Sequence, residues 1–324
     1  MPELPEVETL RRQLAPLVEG RRLVRIEVLD PRWSRPLAPH ELERALSGRR
    51  IERLARRGKY LVWSFAGDVH LAQHLRMTGA VLADPDPEPA HVRVRMQLGR
   101  RARTRGVRLV IDDPRRFGTG ELLPGADALR AFFAARLGCE PFDESFTVEH
   151  LRELAKGRTA PIKAFLLDQR RIAGVGNIYA DEALFRACIH PRRPAGALTR
   201  AQWQRLREGV IEALSAGIDA RGASIDDFRH IDGVKGSFQD RFLVHTRAGE
   251  PCCACGARIE KLVVAGRATY VCPACQRPPR IRRRTARAPA RARPPAGQPT
   301  RPPRARRKPA APRAARSRRP PAAR

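Results

Sequence analysis

The sequence predicts a multidomain α+β protein, in which an N-terminal helix and an antiparallel β-sandwich precede a helical domain and a zinc ribbon. Three observations predict this class. Short segments with an apolar residue at every second position dominate residues 1–125, and helical periodicity replaces them in residues 126–222. Two Cys-x2-Cys pairs then lie within residues 223–276. At 324 residues the chain is long enough for several domains, each with its own core.

The chain opens with MPELPEVETL, a stretch with three glutamates and no basic residue in a protein whose formal net charge is +30. Proline and acidic residues are favoured in the first turn of a helix, because proline lacks an N–H that would be unpaired there and the helix dipole attracts negative charge. Apolar residues at helical spacing follow, namely Val7, Leu10, Leu14 and Leu17. We therefore predict an amphipathic helix that begins at Pro2 and fixes the chain terminus in place.

Five segments with the two-residue period of a half-buried strand come next. They cover 24–28, 59–65, 69–75, 92–98 and 107–112. Short strands separated by turns predict an antiparallel sandwich or barrel.

Helical spacing of apolar residues begins near Asp127. Helices are predicted over 127–137, 147–157, 161–169 and 199–217. The last has Thr199 as its N-cap and a stripe formed by Trp203, Leu206, Val210 and Leu214. A helical domain after a sandwich is the α+β arrangement.

The cysteine pairs indicate a metal site. Cys252 and Cys255 form the first pair, Cys272 and Cys275 form the second, and 16 residues separate the pairs. This spacing is typical of a four-thiolate zinc site, which has no open position for water and is therefore structural. Disulfides or a redox pair are the alternative, and the doubled spacing and the predicted cytosolic location argue against them. Cys253 is interpreted as a bystander that could compete as a ligand.

The charge is concentrated at the C-terminus. Residues 277–324 contain 17 Arg, one Lys, 12 Pro and no acidic residue, which accounts for +18 of the +30 and leaves +12 for the first 276 residues. This composition cannot bury a core and predicts a disordered basic tail. A basic body with a basic tail favours nucleic acid over membrane as the partner. With neither an apolar stretch of bilayer length nor a signal-peptide pattern in the sequence, we expect a cytoplasmic protein.

Several motifs occur in order along residues 2–276. They are MPELPEVET, RRGKYL, HLRMTG, DPRRFG, GVGNIYADEALF, HP at 190–191 and CPACQ. As an ordered set with the zinc spacing, they closely resemble the formamidopyrimidine-DNA glycosylase family, which excises oxidised purines such as 8-oxoguanine from double-stranded DNA. The resemblance implies a monomeric bacterial base-excision-repair enzyme with AP lyase activity and a helix–two-turn–helix element, associated with the nucleoid through DNA.

The resemblance also implies four catalytic residues. Pro2, exposed as the N-terminal residue once Met1 is removed, is the nucleophile that forms a Schiff base, and Glu3 is the acid/base residue. Lys59 and Arg267 donate protons during strand cutting. An N-terminal amine suits this role because its pKa in small peptides is about 7.7–8.0, so more of it is uncharged at neutral pH than of a lysine side chain.

Three further residues match the family's void-filling positions. Met77, Arg115 and Phe117 occupy the space left by the flipped base, and Arg115 reads the cytosine opposite the lesion. Filling that space offsets the cost of unstacking, which is a few kcal/mol.

Phosphate contacts are implied for His74 and Asn177, together with Lys59 and Arg267, and a further DNA contact for His91. Asn177 has independent support, because glycines directly before a helix expose backbone N–H groups to a phosphate.

Two stretches depart from the family pattern. Gly222-Ala223-Ser224-Ile225 stands where the lesion-recognition loop usually has two glycines before Ser/Thr-Thr. Val244-His245-Thr246 replaces the usual Val-Tyr-Gly and is interpreted as a packing change.

Two other functions remain open. A sister group excises oxidised pyrimidines and usually has Gly at the position of Leu4, so Leu4 favours the purine branch. The second alternative function is that of a non-catalytic damage-binding protein on the same scaffold. The presence of Pro2, Glu3 and Lys59 argues against it.

Overall fold

The computed structural model of the protein describes residues 1–101, 104–223, 231 and 236–279. It has the mixed architecture that the sequence predicts, with antiparallel sheets, a helical part and a four-cysteine cluster. The predicted tail lies outside the described residues beyond Pro279, and so do Ser224 and Ile225 of the predicted lesion loop. No helix in the described part of the chain is long and apolar enough to cross a membrane.

Helix α1 covers Leu4–Val18, so it begins two residues later than predicted. Glu3 is its N-cap with an extended backbone, and the Glu3 N–H donates to Oε2 of Glu6 at 2.8 Å. Pro2 and Glu3 therefore lie outside α1, and this bond fixes Glu3 at the start of the helix. Three residues of the predicted stripe are fully buried: Val7, Leu10 and Leu14.

Two four-stranded antiparallel sheets form the sandwich, with strand orders β1-β6-β7-β5 and β2-β3-β4-β8. The strands are β1 (Leu23–Val28), β2 (Ile51–Arg57), β3 (Tyr60–Phe65), β4 (Val69–His74), β5 (Ala80–Ala83), β6 (Val92–Leu98), β7 (Val107–Asp112) and β8 (Thr119–Pro124). All five predicted strands are present. Strands β2, β5 and β8 and the short helix α2 (Pro39–Leu46) were not predicted.

The alternation expected in β1 fails at Val24. A register shift between Leu23 and Arg25 places Val24 in solvent, whereas Ile26 and Val28 face the core. A bulge inserts one residue into a strand, and the side chains before it change face.

The helical part confirms the four predicted helices. Its helices are α3 (Gly125–Ala134), α4 (Val148–Ala155), α5 (Ile162–Leu167), α6 (Asn177–Arg186) and α7 (Arg200–Asp219). Thr199 caps α7 by accepting from the Gln202 N–H at 3.3 Å. The predicted α7 stripe is buried: Trp203, Leu206, Val210 and Leu214.

Helix α1 contributes to two hydrophobic cores. Leu4 belongs to the core of the helical part, while Val7 and the later apolar residues of α1 belong to the core of the sandwich. The start of the chain therefore lies where the two cores meet, and buried packing on both sides fixes its position.

The ribbon consists of β9 (Glu260–Val264) and β10 (Arg267–Val271). Its two-residue turn has positive φ at Ala265 (51°) and Gly266 (71°), the combination that tight hairpin turns require. Arg267 is exposed and directly follows this turn.

Candidate active site

The Glu3 side chain caps a helix that is distant in sequence. Glu3 is 3% exposed, and its carboxylate accepts from the N–H groups of Ile178 (3.1 Å) and Tyr179 (3.5 Å) in the first turn of α6. A carboxylate is stabilised at this end of a helix by the unpaired N–H groups and the dipole. The carboxylate next to Pro2 is therefore fixed in orientation.

The glycines before α6 make room for this approach. A Cβ at Gly176 would lie 2.2 Å from Cδ of Glu3, and a Cβ at Gly174 would lie 2.6 Å from Cδ1 of Leu4. The Leu4 N–H donates to the Gly174 carbonyl at 3.1 Å. The motif GVG (174–176) thus packs directly against Glu3 and Leu4 and holds the N-terminus in place. Pro2 is buried next to these residues.

Glu6 is a second buried carboxylate, for which the sequence indicates only the role of a first-turn acid. Its Oε1 accepts from the Tyr179 hydroxyl at 2.7 Å and from the Ala223 N–H at 2.8 Å. Burial raises the pKa of Glu6, and the charge of Glu3 raises it further. Glu6 therefore joins α1 and α6 to the start of the predicted lesion loop.

Lys59 lies in the turn between β2 and β3 and is 4% exposed. Burial lowers the pKa of Lys59, the carboxylates of Glu3 and Glu6 oppose that shift, and the guanidinium of Arg267 adds to it. The Glu140 carboxylate holds this turn by accepting from the Gly58 N–H. The structure thus brings Lys59 and Arg267 into one electrostatic environment with Glu3.

Asn177 and Lys163 hold the ribbon against the helical part. The Ala268 carbonyl accepts from Nδ2 of Asn177 at 3.1 Å and from Nζ of Lys163 at 3.0 Å. Ala268 follows Arg267, so these bonds position the base of the Arg267 side chain.

Lys163 also forms a buried ion pair with Asp181 at 2.7 Å, and both side chains are fully buried. The other carboxylate oxygen of Asp181 lies 2.9 Å from Nδ1 of His245. His245, which departs from the family pattern, therefore packs in the interior and also extends a polar network. Lys163 and Asp181 were missed in the sequence, although a lysine within the apolar stretch PIKAFLL was a usable signal.

His74 ends β4 in a buried position. Burial, with the nearby charges of Arg76 and Lys59, lowers the pKa of His74 to about 3. Its Nδ1 accepts from the Arg76 N–H at 2.9 Å. The ring is therefore neutral at physiological pH and carries its proton on Nε2, where it can donate to a phosphate without adding charge.

The void-filling candidates lie together on two loops of the sandwich. Met77 is half-buried, while Arg115 and Phe117 are exposed. The Arg115 guanidinium lies 4.8 Å from the centroid of the Phe117 ring. His91 is exposed next to the second loop, and its N–H donates to Asp112 at 3.0 Å.

The four predicted cysteines converge. The sulfur atoms of Cys252, Cys255, Cys272 and Cys275 all lie within 4.8 Å of one another. Tetrahedral zinc with Zn–S bonds of about 2.3 Å separates its ligands by about 3.8 Å, so the cluster fits one zinc ion. Cys253 is exposed and is not part of the cluster. The site is structural, since four thiolates complete the coordination shell.

Three sequence models of known protein families together match most of the described chain. Residues 1–120 match the sequence model of the formamidopyrimidine-DNA glycosylase N-terminal domain, residues 137–229 match its H2TH domain, and residues 249–278 match the zinc finger found in FPG and IleRS. A formamidopyrimidine-DNA glycosylase of Chloroflexus aurantiacus is 44% identical over 280 residues, which is 85% of this chain and 98% of the relative.

Solved structures show the same fold. The MutM (FPG) protein of Thermus thermophilus is 43% identical, with a TM-score of 0.75 over 85% of this chain and 98% of that one. A point mutant of Lactococcus lactis FPG in complex with DNA containing Fapy-dG is 37% identical, with a TM-score of 0.78 over 86% of this chain and 100% of that one.

Proposed function

The chain belongs to the formamidopyrimidine-DNA glycosylase family and is a base-excision-repair DNA glycosylase and AP lyase, and we propose that it removes oxidised purines from duplex DNA with Pro2 as the nucleophile. Related structures contain DNA with Fapy-dG and with a carbocyclic 8-oxo-G. The observation that carries the proposal is the immobilised Glu3 carboxylate, held at the start of α6 beside the buried Pro2.

The proposed chemistry begins at the N-terminal amine after Met1 is removed. The lone pair of the Pro2 nitrogen attacks C1′, and the electrons of the glycosidic bond leave with the base. The proton that the Pro2 nitrogen loses as it bonds to C1′ passes to the base, so the base leaves neutral. Glu3 delivers a proton to the sugar ring oxygen, the ring opens, and an iminium joins Pro2 to C1′. Loss of a proton from C2′ then expels the phosphate on C3′ by β-elimination, and a δ-elimination expels the phosphate on C5′, which completes the strand cut.

Lys59 and Arg267 serve the strand-cutting steps and hold the phosphates around the lesion. The lowered pKa of the buried Lys59 makes its ammonium a better proton donor than an exposed lysine would be. Arg267 reaches the same region from the tip of the ribbon, which Asn177 and Lys163 hold in place. His74 adds a neutral N–H donor to these phosphate contacts.

Base flipping leaves a gap that Met77, Arg115 and Phe117 fill in this proposal. A half-exposed Phe117 under an arginine suits insertion into a base stack, since the aromatic ring replaces lost stacking and the guanidinium can bond a base edge. From the family resemblance we also propose that the protein acts as a monomer and that it associates with the nucleoid through DNA.

Borohydride trapping tests the proposal. A duplex with 8-oxoguanine opposite cytosine should cross-link to the wild-type protein in the presence of borohydride, and peptide mapping should locate the adduct on Pro2. N-terminal acetylation should abolish the cross-link. An adduct on a lysine, or full trapping by a protein that retains Met1, would contradict the proposed nucleophile.

Oxidised pyrimidines are the second candidate substrates. A wild-type Lactococcus lactis FPG, 37% identical to this chain, has a structure with DNA that contains an oxidised pyrimidine. Parallel trapping on a duplex with an oxidised pyrimidine separates the candidates, and we expect faster single-turnover excision of the purine.

A further inference from the structure

One buried carboxylate joins the two loops that carry the void-filling candidates. Asp113 is 1% exposed, and the Thr78 hydroxyl donates to its Oδ1. Its Oδ2 accepts from the Gly118 N–H at 2.7 Å. The Asp113 side chain therefore closes the loop that contains Arg115 and bonds the loop that contains Thr78.

The Thr78 hydroxyl is used twice. While it donates to Asp113, its oxygen also accepts from the Arg115 N–H at 3.3 Å. The Thr78 hydroxyl thus contacts the backbone of Arg115, and Thr78 itself directly follows Met77 in the chain. Tight local geometry supports this arrangement, because a Cβ at Gly79 would lie 2.4 Å from the Leu75 carbonyl oxygen.

The backbone of Asp113 extends the junction to a third segment. Its N–H donates to the His91 carbonyl at 3.0 Å, and its carbonyl accepts from Nε of Arg93 at 2.9 Å. Four proposed DNA contacts, namely Met77, His91, Arg115 and Phe117, therefore lie on segments that meet at Asp113 and Thr78.

We propose that Thr78 and Asp113 are positioning residues, which hold Met77, Arg115 and Phe117 in one constellation before DNA binds. This inference rests on the proposed function, since it assigns a role in filling the gap left by a flipped base. Three side chains on two loops can enter one gap only if the loops keep a fixed separation. If the junction already exists in the free protein, the loops do not have to be ordered when DNA binds, and binding does not carry that entropy cost.

The proposal predicts a selective defect in Thr78→Val, which keeps the shape of the side chain and removes both hydrogen bonds. Excision of 8-oxoguanine from a duplex should fall about tenfold under single-turnover conditions, because the loops lose their common anchor. Preference for cytosine over adenine opposite the lesion should fall as well, since Arg115 loses its support. Cutting of an abasic site in single-stranded DNA should stay within about twofold, because no base has to be unstacked there.

Two further variants keep the test decisive. Thr78→Ser retains the hydroxyl and should restore excision and base preference. Thr9→Val is the matched control, because Thr9 is also buried and its hydroxyl has no hydrogen-bond partner among the described residues. Thermal unfolding of each variant identifies loss of fold.

The outcomes separate the two proposals. If the wild-type protein neither excises nor traps, the proposed function fails. If the wild-type protein excises and a folded Thr78→Val behaves like Thr9→Val, the positioning role is wrong. An equal loss on duplex and single-stranded substrates would also contradict it, because that pattern indicates general structural damage. Asp113→Asn, which keeps one acceptor and replaces the other with a donor, should show the same selective defect in a milder form.

Discussion

The Glu3 carboxylate and the Gly176 backbone are in such close contact that a Cβ on Gly176 would lie 2.2 Å from Cδ of Glu3. Gly176 has φ of −127°, which any residue can adopt, so glycine is required there for space alone. We predict that Gly176→Ala displaces Glu3 and lowers base excision about 100-fold, the loss expected from a shift of about 1 Å in a catalytic group. Single-turnover excision of 8-oxoguanine measures it.

Gly99→Ala provides the control for this prediction. The Cβ added there would meet the exposed Val24 side chain at 3.3 Å, and that side chain can move. This variant should excise at the wild-type rate. Wild-type excision by Gly176→Ala would mean that the observed position of Glu3 is not needed for catalysis.

His74 should make stability dependent on pH. The pKa of His74 is about 3 in the folded protein and about 6.5 when unfolded, so below pH 6.5 the unfolded state binds a proton that the folded state does not. Wild-type stability should therefore fall as pH decreases, by up to about 1.4 kcal/mol per pH unit. His74→Asn, which keeps an acceptor for the Arg76 N–H, should lack this contribution.

Urea unfolding at pH 7.5 and 5.5 checks the prediction. The free energy of unfolding of His74→Asn, relative to the wild type, should rise by about 1 kcal/mol at the lower pH. A difference between the two proteins that stays constant with pH would contradict a buried neutral imidazole.

Zinc removal should abolish DNA binding. Structural zinc contributes about 10–16 kcal/mol to the folding of finger peptides, so the ribbon should unfold without it and Arg267 should lose its position. Cys272→Ser should have the same effect, since Cys272 is fully buried in the cluster. Cys253→Ser is the control and should bind zinc and DNA normally. Normal cutting by a metal-free protein would refute a structural zinc.

Arg115 should determine which base is accepted opposite the lesion. Arg115→Ala should reduce the preference for cytosine over adenine by a factor that corresponds to about 1–3 kcal/mol, the value of a good bidentate base contact. Arg116→Ala is the control, because Arg116 is also exposed and its guanidinium lies 3.8 Å from Asp30 instead. An unchanged ratio of single-turnover rates on the two duplexes would remove Arg115 from this role.

The strands that the sequence predicts are those in which apolar residues either alternate or make up most of the segment. Strands β3 and β7 were found because apolar residues dominate them, whereas β2 (IERLARR) has only two large apolar residues and reads as a charged segment. Strand β8 contains Gly120, and that glycine is required because the Trp33 ring would lie 2.1 Å from a Cβ there. The hydrophobic pattern of a short segment carries no information about which distant residues pack against it, so these contacts could not be predicted.

The same limit applies to the site. Short motifs identified Glu3 and Lys59 as candidates, but not the bond between Glu3 and α6, which joins residues 175 positions apart. Glu6, Lys163 and Asp113 were missed because their roles depend on burial, which is set by packing between distant segments. The four zinc ligands could be predicted in full, since metal geometry imposes a local spacing.

The basic tail should contribute to DNA binding through charge alone. Residues 277–324 carry a net charge of +18 and no aromatic residue, so they can neutralise phosphates but cannot stack on bases. Truncation after Gln276 is the appropriate cut, because the Gln276 side chain accepts from the Cys272 N–H at 3.0 Å and donates to the Ile189 carbonyl at 2.9 Å. The truncated protein should excise lesions at the wild-type single-turnover rate with unchanged lesion preference.

Its binding to undamaged DNA should be weaker and less dependent on salt. Each phosphate contact that is lost removes about 0.9 from the slope of log K against log salt concentration, so even a few contacts are measurable. Titrations of both proteins across a range of salt concentrations test this, with a full-length variant whose tail arginines are replaced by lysine as the control. Because only charge should matter, the lysine variant should keep the wild-type slope. Parallel lines for full-length and truncated protein would show that the tail does not contact DNA.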